Sequence, residues 1–174
     1  MKINSYSDLF EEIKICSGVN FSDERGSLKK TMHGDELEEI IPSIKEVLCT
    51  TSLKNVIRGL HYQDPPYEIK KFITCVTGEI LDVFVDIRKA SKTYGMFGTQ
   101  ILNEKDNLSL LIPEGFAHGY STLSEKSVVV YLQSGNYNPE FDRSINPMSL
   151  DIDWKVNNYK ISKKDLEAVE FKNL

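Results

Sequence analysis

The feature that most restricts what this chain can fold into is a period of two. Leu81, Val83, Val85 and Ile87 alternate with Asp82, Phe84 and Asp86, and Val128, Val130 and Leu132 alternate with Val129, Tyr131 and Gln133. Alternation sends successive side chains to opposite faces of a sheet, so these runs read as strands. Lys71 to Val76, Gly98 to Leu102 and Leu108 to Ile112 read the same way. Turn-forming residues fall between them, at Thr77-Gly78, Asn103 to Asn107, Pro113-Glu114-Gly115 and Asn136 to Pro139. Many short strands at close spacing predict an all-β sandwich or barrel. Helix is restricted to two short candidates. Asp35 to Ile41 has Asp35 as its N-cap, and Ser162 to Val169 carries Ser162 and Asp165 at a capping-box-like spacing.

A length of 174 residues suits one domain, residues 1–174, and is enough to bury a sizeable core. Charged residues at 27% and hydrophobic residues at 40% are ordinary for a globular protein. No apolar run approaches the roughly 20 residues needed to cross a bilayer. Met1 to Glu11 is too polar for the core of a signal peptide. Cys16, Cys49 and Cys75 are odd in number and far apart, which predicts neither a disulfide framework nor a zinc knuckle, and a cytoplasmic setting. A net charge of -5 disfavours non-specific binding to nucleic acid, while leaving room for a local basic pocket that takes a phosphate.

Three stretches carry the chemistry. The first is Arg58-Gly59-Leu60-His61-Tyr62-Gln63, with Lys71 following at the start of a strand. The second is Ile112-Pro113-Glu114-Gly115-Phe116-Ala117-His118-Gly119-Tyr120, and the third is Tyr131 with Tyr137 and Pro139 beyond it. A barrel interior gathers residues from separate strands, and this set suits an acid/base site with a cationic lining. Taken singly, each of these residue types also serves structure.

The runs Asp23-Glu24-Arg25-Gly26, Arg58 to Gln63, Gly78-Glu79 with Asp82 to Arg88, and Ile112 to Gly119 resemble the dTDP-4-dehydrorhamnose 3,5-epimerase family, in its order and at close to its spacing. The similarity extends roughly from Phe21 to Asp165. It implies a cupin-type jelly-roll barrel with short peripheral helices, a homodimer, and epimerisation of a 4-keto-6-deoxy sugar nucleotide for surface polysaccharide synthesis. A C4 ketone acidifies the hydrogens at C3 and C5. The reaction then needs a base on one face of the sugar, an acid on the other, and positive charge near the enolate oxygen. By the resemblance His61 is the base, Asp165 the carboxylate that orients it, Tyr131 the acid, and Lys71 the cation at the enolate oxygen. Arg58 and Arg25 hold the diphosphate, His118 contacts the sugar or its oxyanion, and Tyr137 stacks on the base. Gln63, Asp142 and Lys164 complete the implied substrate-binding set.

Some neighbouring residues have plainer readings. Alternation sends Lys70 and Lys71 to opposite faces, and counting back from Gly78 favours Lys71 as the inward one. Asp86 and Arg88 read as a structural strand end, and His33 as a solvated surface residue. Metal-binding cupins carry two histidines one residue apart, whereas here Tyr62 and Gln63 follow His61. The expectation is an enzyme with no metal and no cofactor.

The chain departs from the family around the nucleotide. Ser27, Leu28, Lys29 and Lys30 stand where the family has aromatics and then a glutamate. Glu46 to Cys49 stand where it has a Gln-Asp-Asn-like stretch, and Ile145-Asn146-Pro147 replaces a Trp-Asp-rich run. The expected substrate is therefore a dTDP-linked hexose or, given the altered rim, a GDP-linked 4-keto-6-deoxy-heptose. A sugar-nucleotide 3,4-ketoisomerase and a non-catalytic sugar-nucleotide-binding barrel remain as alternatives.

Overall fold

The structure is a computed structural model that describes residues 2–32, 35, 38 and 40–174. In chain order the described residues form β1 (Lys2–Ser5), β2 (Lys14–Ser17), β3 (Val19–Asp23), β4 (Gly26–Lys30), β5 (Glu46–Leu53), β6 (Ile57–Gln63) and β7 (Lys71–Thr77). They continue with β8 (Glu79–Asp86), β9 (Phe97–Asn103), β10 (Leu108–Ile112), β11 (Phe116–Thr122), β12 (Lys126–Gln133) and β13 (Asp142–Ser144). One helix, α1 (Lys163–Leu166), and a 3-10 turn at Phe171–Asn173 follow. The expected second helix is thus shorter than Ser162 to Val169, but Ser162 caps it as its spacing predicts, accepting a hydrogen bond from the Asp165 amide. The expected helix from Asp35 to Ile41 lies partly outside the described residues, although Asp35, Glu38 and Ile40 are helical. His33 lies outside them altogether.

Two antiparallel sheets face each other. One has the order β1-β2-β10-β7-β12-β5 and the other β13-β6-β11-β8-β9. From β5 to β8, and again from β10 to β12, consecutive strands alternate between the sheets. That back-and-forth winding is the jelly roll of a cupin-type barrel. A third, two-stranded ribbon of β3 and β4 pairs with neither sheet.

The main core fills the space between the sheets, where Ile73 and Cys75 of β7, Ile80 and Phe84 of β8, Leu110 and Ile112 of β10, and Val129 and Tyr131 of β12 pack together. A second core lies on the outer face of the five-stranded sheet. There Leu81, Val83 and Val85 pack beneath Ile145, Ile152 and Trp154 of the C-terminal segment. Strand β8 is consequently buried on both faces, which its alternation of apolar and mixed positions does not by itself reveal. Asp82 and Asp86 are both fully buried, and a buried carboxylate must find partners. Asp86 accepts from Arg88, Ser91 and Thr93, so this strand end is structural, as its sequence suggests. Asp82 points inward, where the candidate site lies.

Candidate active site

A cavity of about 520 Å³ opens between the two sheets. Strand β6 supplies Arg58 and His61 to its wall, β11 supplies His118 and Tyr120, β12 supplies Tyr131, and Lys71 enters from β7. Arg58 and His61 are three residues apart, so unbroken alternation would turn them to opposite faces. The break falls at Gly59, whose backbone has φ +111°. A Cβ there would lie 2.6 Å from the Cα of Gly119 and 2.6 Å from the carbonyl oxygen of His118. Two glycines in contact let β6 and β11 approach closely, and the register of that pair shifts between His118 and Tyr120. The local kink is what brings an arginine and a histidine into one cavity.

His61 is held from behind. Its Nε2 lies 2.7 Å from Asp165 Oδ1, a pairing of residues 104 apart in sequence. The Asp165 side chain is 5% exposed and that of His61 39% exposed. Burial pushes the Asp165 carboxyl up, but the His61 hydrogen bond and charge, with the Ser162 hydroxyl and the Gly59 amide, bring it below its ordinary value. Asp165 is therefore ionised and fixes His61 with Nδ1 as the ring nitrogen left over for a ligand.

Tyr131 belongs to the opposite sheet. It is buried, and burial, reinforced by Tyr120 and Asp82, pushes its phenol well above the ordinary range, so it stays protonated. Its ring meets that of His118 edge-on at 5.8 Å between centroids. His118 in turn lies 2.8 Å from Asp82 Oδ2. Burial dominates for both members of this pair, lowering His118 and raising Asp82, so separated charges are disfavoured there. Lys71 points inward, as alternation predicts for it rather than Lys70, and its Nζ donates to the His61 carbonyl at 3.0 Å. Burial lowers its pKa to about 8, against the pull of Asp142 and Asp82.

Toward the rim, Arg58 is positioned by Ser52 Oγ at 2.8 Å and the Thr51 carbonyl at 3.1 Å, and among the described residues no carboxylate pairs with it. Lys164 pairs with Asp142 at 2.7 Å. Tyr137 is 56% exposed beside them. Gln63 lines the cavity, yet both ends of its amide brace the loop that carries Tyr137, donating to the Tyr67 and Asn136 carbonyls and accepting from the Asn138 amide. Arg25 is the one candidate left elsewhere: it sits at the tip of the β3–β4 ribbon, paired with Asp23 at 2.6 Å, and does not line the cavity of its own chain. Asp82, Glu46, Leu48, Thr50, Tyr120 and Gln133 belong to the site or its support although the sequence motifs assigned none of them a role. For Asp82 the signal was present, as an acid among apolar positions of a strand.

Among the described residues no group of three or more His, Cys, Asp or Glu is arranged to hold a metal ion. What the arrangement offers is proton chemistry. A histidine backed by a carboxylate faces a protonated tyrosine across the sandwich, with a lysine cation between the sheets and an arginine fork free for an anion.

Known proteins share this fold. The family profile described as dTDP-4-dehydrorhamnose 3,5-epimerase matches residues 9–173. A dTDP-4-dehydrorhamnose 3,5-epimerase from Shigella flexneri is 38% identical over 156 residues, covering 87% of this chain and 86% of the relative. The crystal structure of dTDP-6-deoxy-D-glucose-3,5-epimerase from Legionella pneumophila, in complex with dTDP-4-keto-L-rhamnose, superposes with a TM-score of 0.91 at 32% identity, covering 98% of this chain and 93% of that one. A 4-keto-6-deoxy sugar epimerase from Streptomyces spheroides gives a TM-score of 0.93 at 28% identity, over 99% of this chain and 88% of that one. A profile match over nearly the whole chain, with the same fold beneath it, settles the assignment: the chain belongs to the dTDP-4-dehydrorhamnose 3,5-epimerase family and is an isomerase.

Proposed function

We propose that the chain inverts C3, C5 or both of a nucleotide-linked 4-keto-6-deoxy sugar, with residues 1–174 acting as one catalytic domain. The observation that carries this reading is the placement of His61, backed by Asp165 of α1, on one sheet and Tyr131 on the other, across a cavity that also holds Lys71. Facing sheets are about 10 Å apart, which leaves room for a flat sugar ring between the two side chains. In the proposed reaction His61 Nδ1 takes the proton from carbon, and the C–H electron pair moves into the enolate, whose oxygen is held by the Lys71 ammonium. Tyr131 then returns a proton to the opposite face and regains its own from solvent, to which His61 releases the proton it took. Asp165 stabilises the imidazolium formed in the first step, and His118, held by Asp82, hydrogen-bonds the sugar. The diphosphate takes the free guanidinium of Arg58.

The substrate in this reading is a dTDP-linked hexose or a GDP-linked heptose. The second is supported by the rim, where Glu46 and Leu48 line the cavity in place of amides. Surface polysaccharide synthesis in the cytoplasm is the corresponding setting, and it accords with three cysteines spaced for no disulfide framework. The functional unit is a homodimer. Supporting this, the β3–β4 ribbon exposes Phe21 (52%) and Leu28 (60%), and the edge strand β5 exposes Val47 (62%) and Leu53 (60%). Unpaired edges with apolar side chains are surfaces that proteins cover. In a dimer Arg25 has a second cavity available to it, and sedimentation at micromolar concentration tests the state directly.

The deciding experiment is incubation in heavy water with dTDP- and GDP-linked 4-keto-6-deoxy sugars, with products read by mass spectrometry and NMR. Deuterium at C3 or C5, lost in His61→Ala, supports the reading and names the substrate. Absence of exchange from every substrate, with folded protein, refutes it.

A further inference from the structure

Resting on the sugar-nucleotide reading, and deepening it, we infer that Glu46 is a specificity-determining residue whose carboxylate accepts hydrogen bonds from neutral O–H or N–H groups of the substrate outside its diphosphate. Alternation along β5 turns Glu46, Leu48 and Thr50 into the cavity and leaves Val47 outside. Every other acid at the site already has a partner: Asp142 pairs with Lys164, Asp165 with His61, and Asp82 with His118. Glu46 alone among them has no partner at either oxygen; its Oε2, like Asp82 Oδ1 on the carboxylate already tied to His118, is shielded from water without a hydrogen bond. An oxygen left so costs free energy unless a donor arrives, and in a cavity that donor is the ligand.

The strand registers explain why no cation of the chain fills the gap. Glu46 lies opposite Gln133, and Gln133 lies opposite Lys71, so Glu46 and Lys71 are two strands apart. That separation is roughly 10 Å, and the Lys71 ammonium is turned instead to the His61 carbonyl. Arg58 is anchored at Ser52 and Thr51, toward the other end of β5, roughly 20 Å along the strand from Glu46. The cavity is therefore polarised, with a free guanidinium at one end and a free carboxylate at the other. The diphosphate belongs to the arginine. Glu46 repels phosphate and takes groups that donate, which in a nucleotide sugar are the hydroxyls of the hexose or heptose, or the ribose hydroxyls and N–H groups of the nucleoside.

The test is calorimetric binding of GDP, GDP-mannose, dTDP, dTDP-glucose and inorganic pyrophosphate to the full chain and to Glu46→Gln, which keeps the side chain's size. Expected is a loss of about tenfold in affinity, the value of one charge-assisted contact, for donor-bearing ligands and none for pyrophosphate. A loss already present with GDP places the donor on the nucleoside. A loss that appears only with GDP-mannose and dTDP-glucose places it on the sugar. Unchanged affinity for all five, or equal tightening of all five from relief of repulsion, overturns the inference. A changed oligomeric state with unchanged affinities also overturns it, assigning Glu46 to a contact between chains. If the unchanged protein binds none of the probes, the sugar-nucleotide reading falls and takes this inference with it. Binding that ignores Glu46 removes the inference alone.

Discussion

Replacing Asp165 with asparagine isolates what the carboxylate behind His61 contributes. The substitution keeps the shape of the side chain and the helix cap, which comes from Ser162. It removes the negative charge that faces the imidazolium once His61 has taken a proton. With charge centres about 4 Å apart and an effective dielectric near 20, the attraction is about 4 kcal/mol. The His61 side chain is 39% exposed, so solvent screens roughly half of this and leaves about 2 kcal/mol. That corresponds to about a thirtyfold fall in kcat. The assay is the rate of deuterium incorporation from heavy water at saturating substrate, with KM measured alongside, since Asp165 does not line the substrate cavity. The melting temperature of Asp165→Asn guards against loss through unfolding. A variant that folds and exchanges within threefold of the parent would refute the orienting role, and His61 would then act without help from behind.

Other outcomes follow from the same geometry. Tyr131→Phe should keep wash-in of deuterium by His61 while losing inversion by at least about a hundredfold, as expected for removal of one acid catalyst; NMR of recovered substrate separates the two. Activity should fall on the alkaline side near pH 8, because Lys71 loses its charge at about 8. Stability should move the other way: the unfolded chain holds that proton to its ordinary 10.5, so stability rises with pH between about 8 and 10.5. Lys71→Met should abolish both trends in pH-resolved kinetics and melts. Gly59→Ala puts a Cβ 2.6 Å from two backbone atoms at a positive φ, and should cost about 2–4 kcal/mol in urea unfolding.

How much of this was legible beforehand differs from residue to residue. The strands β8 and β12 were readable because one face of each differs from the other, and Lys71 was correctly turned inward by counting along its strand. The outer face of β8 was not readable, since its cover comes from Ile145, Ile152 and Trp154, far along the chain. Arg58 and His61 were readable as a motif but not as neighbours, because alternation separates them and only the Gly59 kink reunites them. Asp82 was passed over because its partner, His118, is reached across the sheet rather than along the strand. Glu46 was seen only as a departure from a familiar pattern. Its lack of a partner is a property of three registers at once, and no local window contains it.

Under the proposed mechanism the pairing of His61 with Asp165 has a consequence in time as well. The contact closes a loop of 104 residues, and Asp165 reaches it on a four-residue helix too short to persist alone. Contacts of such long range form late, after the sheets have given them a platform. In a refolding experiment turnover should therefore lag behind the circular dichroism of the sheets, with the difference between the two curves timing the docking of the tail. A barrel already assembled but still waiting for that docking should turn over at the reduced rate expected for Asp165→Asn, and reach the full rate only once the tail has seated.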